Sequence, residues 1–252
     1  MIRHATSEWF SWGKQRHHLE QSTARLLPVG HCPIQAGDVP DADVTIATWW
    51  ETMEWIKDWP SEKGIKAYFV RGYELHGGDP ERVRATYRMP AQKLVISTWL
   101  QRLMKDEYGD PNAVLVPNGL DWGVFGAPPR GKRSTPTVGL MYSANPIKGG
   151  EEAFWALHLV RRHIPELRIV VLTPHPLPRS FRRLANIDVL YRPDDAAIAA
   201  AYRKTDCWLL SSHTEGFGMP GLEAAACRCP VVATRCGGPA DYVEEGRSGY
   251  LV

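Results

Sequence analysis

The sequence predicts an α/β protein made of two Rossmann-like, doubly wound parallel sheets in tandem, and three observations predict it. Short apolar, β-branched runs alternate with helix-compatible stretches at roughly twenty-residue spacing, the rhythm of βαβ units. A Gly- and Pro-rich passage interrupts that rhythm between residues 117 and 136. The chain has 252 residues, 44% of them hydrophobic and 23% charged, which is enough for two modest cores. The expected division is an N-terminal domain over 1–127, including a linker from about residue 117, and a C-terminal domain over 128–252.

Residues 1–43 carry the weakest pattern. Glu8 to Leu27 has helical spacing in part, at Trp9, Trp12, Leu19 and Leu26, but Gly13 interrupts it and His17-His18 offers no metal spacing. From Val44 the pattern is regular. Val44 to Thr48 reads as a strand, Glu51 to Trp59 as a short helix, Lys66 to Val70 as a strand, and Arg82 to Arg88 as a helix stopped by Pro90. Leu94 to Ser97, a helix from Trp99 to Tyr108, and the strand Ala113 to Val116 complete this half. Pro117-Asn118-Gly119 then opens a passage with too much Gly and Pro for a regular element.

The second half repeats the rhythm. Strands are expected at 138–143, 168–173, 187–190, 207–211, 231–234 and 249–252, and helices near 149–164, 178–185, 195–203, 220–228 and 239–244. In a doubly wound sheet ligands bind beyond the carboxyl ends of the strands. The loops holding Lys148, Glu215 and Gly237-Gly238 lie there, so residues distant in sequence converge.

The most informative stretch runs from Ser212 to Ala224. A buried strand leads through a turn bearing Gly216 and Gly218 into a helix that opens near Pro220, whose fixed φ suits a first helical turn. Backbone N–H groups around Gly216, Phe217, Gly218 and Met219 can approach an anion, and the helix N-terminus adds partial positive charge. Glu215 lies in the turn and Glu223 in the first turn of the helix, two acceptors suited to a ligand rich in hydroxyl donors. Taken singly, Lys148 could be an exposed loop lysine and Glu223 a capping glutamate.

Glu215 and Glu223, with seven residues between them and the Gly216-Phe217-Gly218 turn after the first, resemble the donor-site signature of the retaining GT-B glycosyltransferases of family 4. Pro230-Val231-Val232-Ala233-Thr234, Gly237-Gly238-Pro239 and Gly246-Arg247-Ser248-Gly249-Tyr250 are similar to the family's usual sequel. Val138 to Ser143 with Lys148-Gly149 resembles its first C-terminal strand and phosphate-binding lysine loop. Tyr68 to Glu74, Val95-Ile96-Ser97 and Val116 to Asp121 resemble segments of a bacterial subset. The resemblance implies a GT-B fold, a nucleoside-diphosphate sugar as donor, and a glycan, lipid-linked or small-molecule hydroxyl as acceptor in cell-surface glycan synthesis. It implies Lys148 on the diphosphate, Glu215 facing the transferred sugar, and Glu223 on the ribose hydroxyls, within a donor site completed by Gly216, Phe217, Gly218 and Met219. The leaving phosphate takes the acceptor's proton, so configuration is retained and neither metal nor cofactor is required. Ser143 stands where the family usually has an arginine; either a cation such as Arg192 substitutes for it or stabilisation of the leaving group is weaker. Trp49, Trp50, Tyr73 and Glu74 fall on the acceptor side, where their rings could stack on a sugar or equally fill an interdomain wall. The chain lacks the family's opening strand-turn-helix and closing helices, so its N-terminal sheet is expected to be incomplete, with an edge that a partner chain covers.

Composition narrows the alternatives. A net charge of +2 argues against nucleic-acid binding. Basic groups at Arg161-Arg162-His163, Arg168, Arg179, Arg182 and Arg183 read as solvated helix ends, with anionic lipid as the other possible partner. No apolar run reaches the roughly 18 residues of a membrane span, and no signal-peptide core opens the chain. The expected location is the cytoplasm, with peripheral contact at the inner face of the membrane as its extension. The five cysteines show no C-x-x-C pair and read as reduced thiols. Two further functions stay open: a binding or assembly module that keeps the donor site without transfer, and another GT-B enzyme such as a sugar-nucleotide epimerase or phosphorylase.

Overall fold

A computed structural model of the chain describes residues 23–182 and 185–252. In the first half four parallel strands lie side by side in chain order: β1 (Val44–Ala47), β2 (Ile65–Val70), β3 (Gln92–Val95) and β4 (Val114–Leu115). The helices α1 (Trp50–Ile56), α2 (Pro80–Arg88) and α3 (Thr98–Tyr108) connect them. Asp79 starts α2 by accepting from the N–H groups of Glu81 and Arg82, with Pro80 at the first helical position, and Gly109 ends α3 in the left-handed region. Right-handed crossovers in a monotonic strand order put every helix on one face. Burial agrees: Ala47, Tyr68, Val70 and Val95 share one core with Trp50, Met53, Val83, Tyr87, Leu100 and Met104. The alternate residues Val44, Ile46, Ile65 and Val114, on the other face by register, are exposed.

The passage between the halves is not wholly irregular. Asp121 caps a one-turn helix, α4 (Trp122–Phe125), by accepting from Gly123 and Val124 N–H. Leu120, Val124 and Phe125 pack into the core of the second half, which corrects the expectation of an unstructured linker.

The second half contains β5 (Thr137–Met141), α5 (Gly150–Arg161), β6 (Arg168–Thr173), α6 (Arg179–Arg182), β7 (Ile187–Tyr191), α7 (Asp195–Arg203), β8 (Cys207–Leu210), α8 (Met219–Ala226), β9 (Val231–Ala233) and β10 (Gly249–Leu251). Six parallel strands stand in the order β10-β9-β8-β5-β6-β7. This sheet is covered on both faces. Ile169 and Val171 pack with Ala153, Leu157 and Phe181 of α5 and α6, while Val170 and Leu172 pack with Ala199, Tyr202 and Ala224 of α7 and α8.

Two sequence expectations need adjustment, and a third lies mostly outside the described residues. The helix expected over 239–244 is a 3-10 turn, Gly238–Asp241, entered from Gly237 at φ +111°. α8 opens at Met219, so Glu223 lies in its second turn, not its first. The helical spacing of Glu8 to Leu27 and the His17-His18 pair fall outside the described residues as far as residue 22, and Leu26 and Leu27 are exposed and non-helical.

Candidate active site

The chain leaves β5 for β6 on one side and returns through β8 on the other, so the connections after β5 and β8 diverge and leave a crevice at the sheet's carboxyl edge. Two loops meet there and are bonded together. The Ser211 hydroxyl donates to the Gly149 carbonyl at 2.7 Å, and His213 N–H donates to the Ile147 carbonyl at 2.8 Å. Gly149 has φ +63°, and a Cβ on it would sit 1.9 Å from the Ser211 carbonyl oxygen, so only glycine permits this approach. The consequence is placement of two charges. Lys148 Nζ lies 2.7 Å from Glu215 Oε1, which also accepts from the hydroxyl of buried Ser212 at 2.7 Å. Of this pair Glu215 is 11% exposed and Lys148 40%, so the cation faces the crevice more openly than the anion.

Glu223 belongs to α8 and is held by a different neighbour. Its Oε2 accepts from the hydroxyl of Tyr202 on α7 at 2.8 Å. Burial raises the pKa of Glu223, and that hydrogen bond opposes the rise. Neither Tyr202 nor Ser212 stands out in the sequence. A tyrosine in an alanine-rich helix and a serine after a strand carry no local signal of what they touch.

The glycine turn also meets the first half of the chain. A Cβ on Gly216 would fall 1.8 Å from the Arg71 carbonyl oxygen. Phe217 is buried in the first half's core, and Met219 and Leu222 pack against it, so this aromatic ring serves the junction between halves. Gly218 has φ +82° and its carbonyl accepts from the Tyr242 hydroxyl at 2.8 Å. Trp99, near the start of α3, donates its indole N–H to the carbonyls of both Glu215 and Gly216, at 3.0 and 3.1 Å. Beside it, Asp241 accepts from the N–H of Thr98 at 2.7 Å and from its hydroxyl, supplying a cap to α3 from the other half. Trp99→Phe keeps an aromatic ring but removes the shared donor with the five-membered part of the indole. The expected result in urea unfolding is a loss of about 1 kcal/mol; an unchanged midpoint and slope would show that the clamp adds nothing to stability.

The remaining sequence candidates are placed as follows. Ser143 is half-buried and its hydroxyl accepts from Asn145 N–H at 3.2 Å. Arg192 is exposed, lies over the Tyr191 ring at 5.3 Å and donates to the Pro174 carbonyl at 3.4 Å, with no bond to Lys148 or Glu215. Trp50 and Glu74 are buried in the first half, where Glu74 Oε2 accepts from Trp50 N–H at 2.9 Å and from the Tyr68 hydroxyl at 3.0 Å. Burial pushes the Glu74 carboxyl up to about 7, against the pull of those two donors. Trp49 is half-buried against Gly77 and His76, and the half-buried Tyr73 bonds through its hydroxyl to that of Tyr108 at 3.0 Å. Among the described residues no group of three or more His, Cys, Asp and Glu could hold a metal ion.

Residues 135–252, the second half with its crevice, match the family model described as glycosyl transferases group 1. The match is confined to this half of the chain, which is similar to that family. Two relatives are D-inositol 3-phosphate glycosyltransferases: that of Segniliparus rotundus is 28% identical over 64% of this chain and 41% of its own length. That of Acidothermus cellulolyticus is 30% identical over 64% of this chain and 42% of its own. The chain thus spans less than half the length of these group 1 relatives. Among solved structures, HepE of Anabaena in complex with UDP-glucose is similar over 83% of this chain and 64% of its own, with a TM-score of 0.69 and 18% identity. Sucrose-phosphate synthase of Thermosynechococcus elongatus is similar over 83% of this chain and 60% of its own, with a TM-score of 0.67 and 18% identity. At that identity the likeness establishes a shared GT-B fold. Among the described residues no helix is long and apolar enough to cross a membrane.

Proposed function

We propose that the chain supplies the donor site of a retaining glycosyltransferase that moves a sugar from a nucleoside diphosphate sugar to a hydroxyl acceptor. The observation that carries this reading is the Lys148–Glu215 pair at the crevice between β5 and β8. In the free protein each is the other's counter-ion. A diphosphate entering the crevice draws Lys148 to itself, aided by the N–H groups that open α8, and leaves Glu215 free to accept hydrogen bonds from the sugar's hydroxyls. Glu223, held by Tyr202, accepts from the ribose hydroxyls. The anomeric carbon–phosphate oxygen bond then breaks as the acceptor oxygen bonds to the same face of the sugar, and the acceptor's proton passes to the leaving phosphate oxygen. Lys148 stabilises the charge that develops there. The two carboxylates have separate partners in this scheme and do not flank the scissile bond as a hydrolase pair does.

HepE binds UDP-glucose, so uridine is the base to test first. The expected outcome is that UDP raises the melting temperature of the chain while inorganic phosphate does not, by an amount equivalent to about 2.7 kcal/mol at a hundredfold excess over Kd. Glu223→Gln, which keeps an acceptor for Tyr202, should weaken UDP about tenfold, the cost of one charge-assisted bond reduced to a neutral one. No shift with UDP, GDP or dTDP from a chain that melts cooperatively would overturn the donor-site reading. The exposed Val44, Ile46 and Ile65 on β1 and β2, at one edge of the first sheet, are assigned in the same reading to contact with a partner chain, since an unpaired edge strand invites cover.

A further inference from the structure

We propose that a second cleft in the second half of the chain, apart from the Lys148–Glu215 pair, is a carbohydrate subsite that takes a neutral sugar unit. The cleft has a volume of about 420 Å³ and lies between the loop after β5, the first turns of α5 and the start of α6. One wall is aromatic. Trp155, Phe154, Phe181 and Tyr142 follow one another with ring centroids 5.3, 5.4 and 5.3 Å apart. Phe181 is buried at 1% exposure, yet Trp155, at the open end of the series, is 61% exposed. The rim is polar, with Ser143, Asn145, Glu151, Glu152 and His213, and Glu152 Oε1 lies 3.0 Å from His213 Nε2.

Charge decides what this cleft can hold. Among the described residues no lysine or arginine lines it; its carboxylate and imidazole side chains are Glu151, Glu152 and His213, and the two carboxylates disfavour a phosphate. The described lining therefore favours a neutral occupant over the nucleotide half of a donor. The carboxylates at the start of α5 are in part explained by the helix dipole, but the dipole gives no reason for a tryptophan to stand open beside them. A pyranose ring matches both walls. Its C–H face, slightly positive, lies on the negative face of an aromatic ring, and its hydroxyl edge offers donors to the acceptor-only carboxylates. The volume is within the range of small-ligand clefts, roughly 300–1,000 Å³.

The position gives the cleft a use. His213 is bonded through its backbone to the lysine loop and stands two residues before Glu215, so an occupant lies next to the proposed transfer site. The subsite deepens the glycosyltransferase reading by naming part of its substrate, a glycan chain that extends away from the reacting end.

The test is binding and requires no transfer. The 252-residue chain is titrated with maltotetraose, cellotetraose and chitotetraose, and separately with uridine, by calorimetry and by saturation-transfer NMR. The expected result is millimolar binding of at least one oligosaccharide, weakened tenfold or more by Trp155→Ala, retained by Trp155→Phe, and unchanged by Lys148→Ala. Trp155 is exposed, so neither variant at that position should alter melting. No oligosaccharide binding, binding indifferent to Trp155→Ala, or binding lost in Lys148→Ala would each overturn the subsite, as would a uridine signal lost with Trp155. The UDP-induced melting shift reads the donor site independently: a preserved shift without oligosaccharide binding removes the subsite alone.

Discussion

Lys148→Ala is expected to lower the turnover of sugar transfer by a factor of about a hundred to a thousand at saturating donor, a loss of roughly 3–4 kcal/mol in the transition state. The size follows from what surrounds the residue. Ser143 replaces the arginine that the family resemblance would place in the same loop, and its hydroxyl, which accepts from Asn145 N–H, carries no charge. Arg192, the other candidate, rests on Tyr191 and the Pro174 carbonyl. In the proposed scheme Lys148 is, among the described candidates, the side-chain cation at the crevice, and the N–H groups at the start of α8 would carry the rest of the phosphate charge. The folded state should change little, because Lys148 is 40% exposed and its pair with Glu215 is partly screened. Steady-state kinetics with UDP-sugar at several concentrations, alongside melting, separate these effects. A turnover within tenfold of the parent would show that the backbone or Arg192 carries the leaving group, and the role assigned to Lys148 would be wrong.

How much of this was legible in the sequence depends on the range of the interaction involved. The spacing of Glu215 and Glu223 is local, and so is the Gly216-Phe217-Gly218 turn. Alternation of strands and helices fixed the two sheets, and the connection rule for parallel strands put the Lys148 and Glu215 loops at one edge. Contacts between distant residues left no such trace. Nothing near Ser212 or Tyr202 announces that each holds a site carboxylate, and nothing near Trp99 announces two carbonyl partners more than a hundred residues away. α4 was hidden because a single capping aspartate and one buried Phe125 outweigh a passage rich in Gly and Pro. The sequence left two uses open for Thr48-Trp49-Trp50, a sugar platform or a wall. Burial distinguishes the two tryptophans: Trp50 is 2% exposed, sealed by Arg82 stacked over its ring at 5.0 Å, while Trp49 is half-buried.

Glu74→Gln is expected to make the protein more stable than the parent at pH 8 and nearly equal to it at pH 5. Glu74 is 3% exposed, and burial raises its carboxyl from 4.5 to about 7. A group whose folded pKa lies above its unfolded value favours folding while it stays protonated. Its contribution is fully present below about pH 4.5 and is lost as the pH rises through about 7, because the folded state must then bury a charge. The whole window corresponds to about 3 kcal/mol, at 1.36 kcal/mol for each pKa unit. Glutamine is neutral throughout, and its amide oxygen can still accept from Trp50 N–H and the Tyr68 hydroxyl, so the variant's stability should not fall across this window. Glu74→Ala behaves differently. It leaves a buried N–H and a buried hydroxyl without their acceptor, at about 1–3 kcal/mol each, and should destabilise at every pH. Urea unfolding of the three proteins from pH 4.5 to 8 checks the sign: curves for the parent and Glu74→Gln that run parallel would mean that Glu74 is ionised in the fold across the whole range, and that its two donors outweigh its burial.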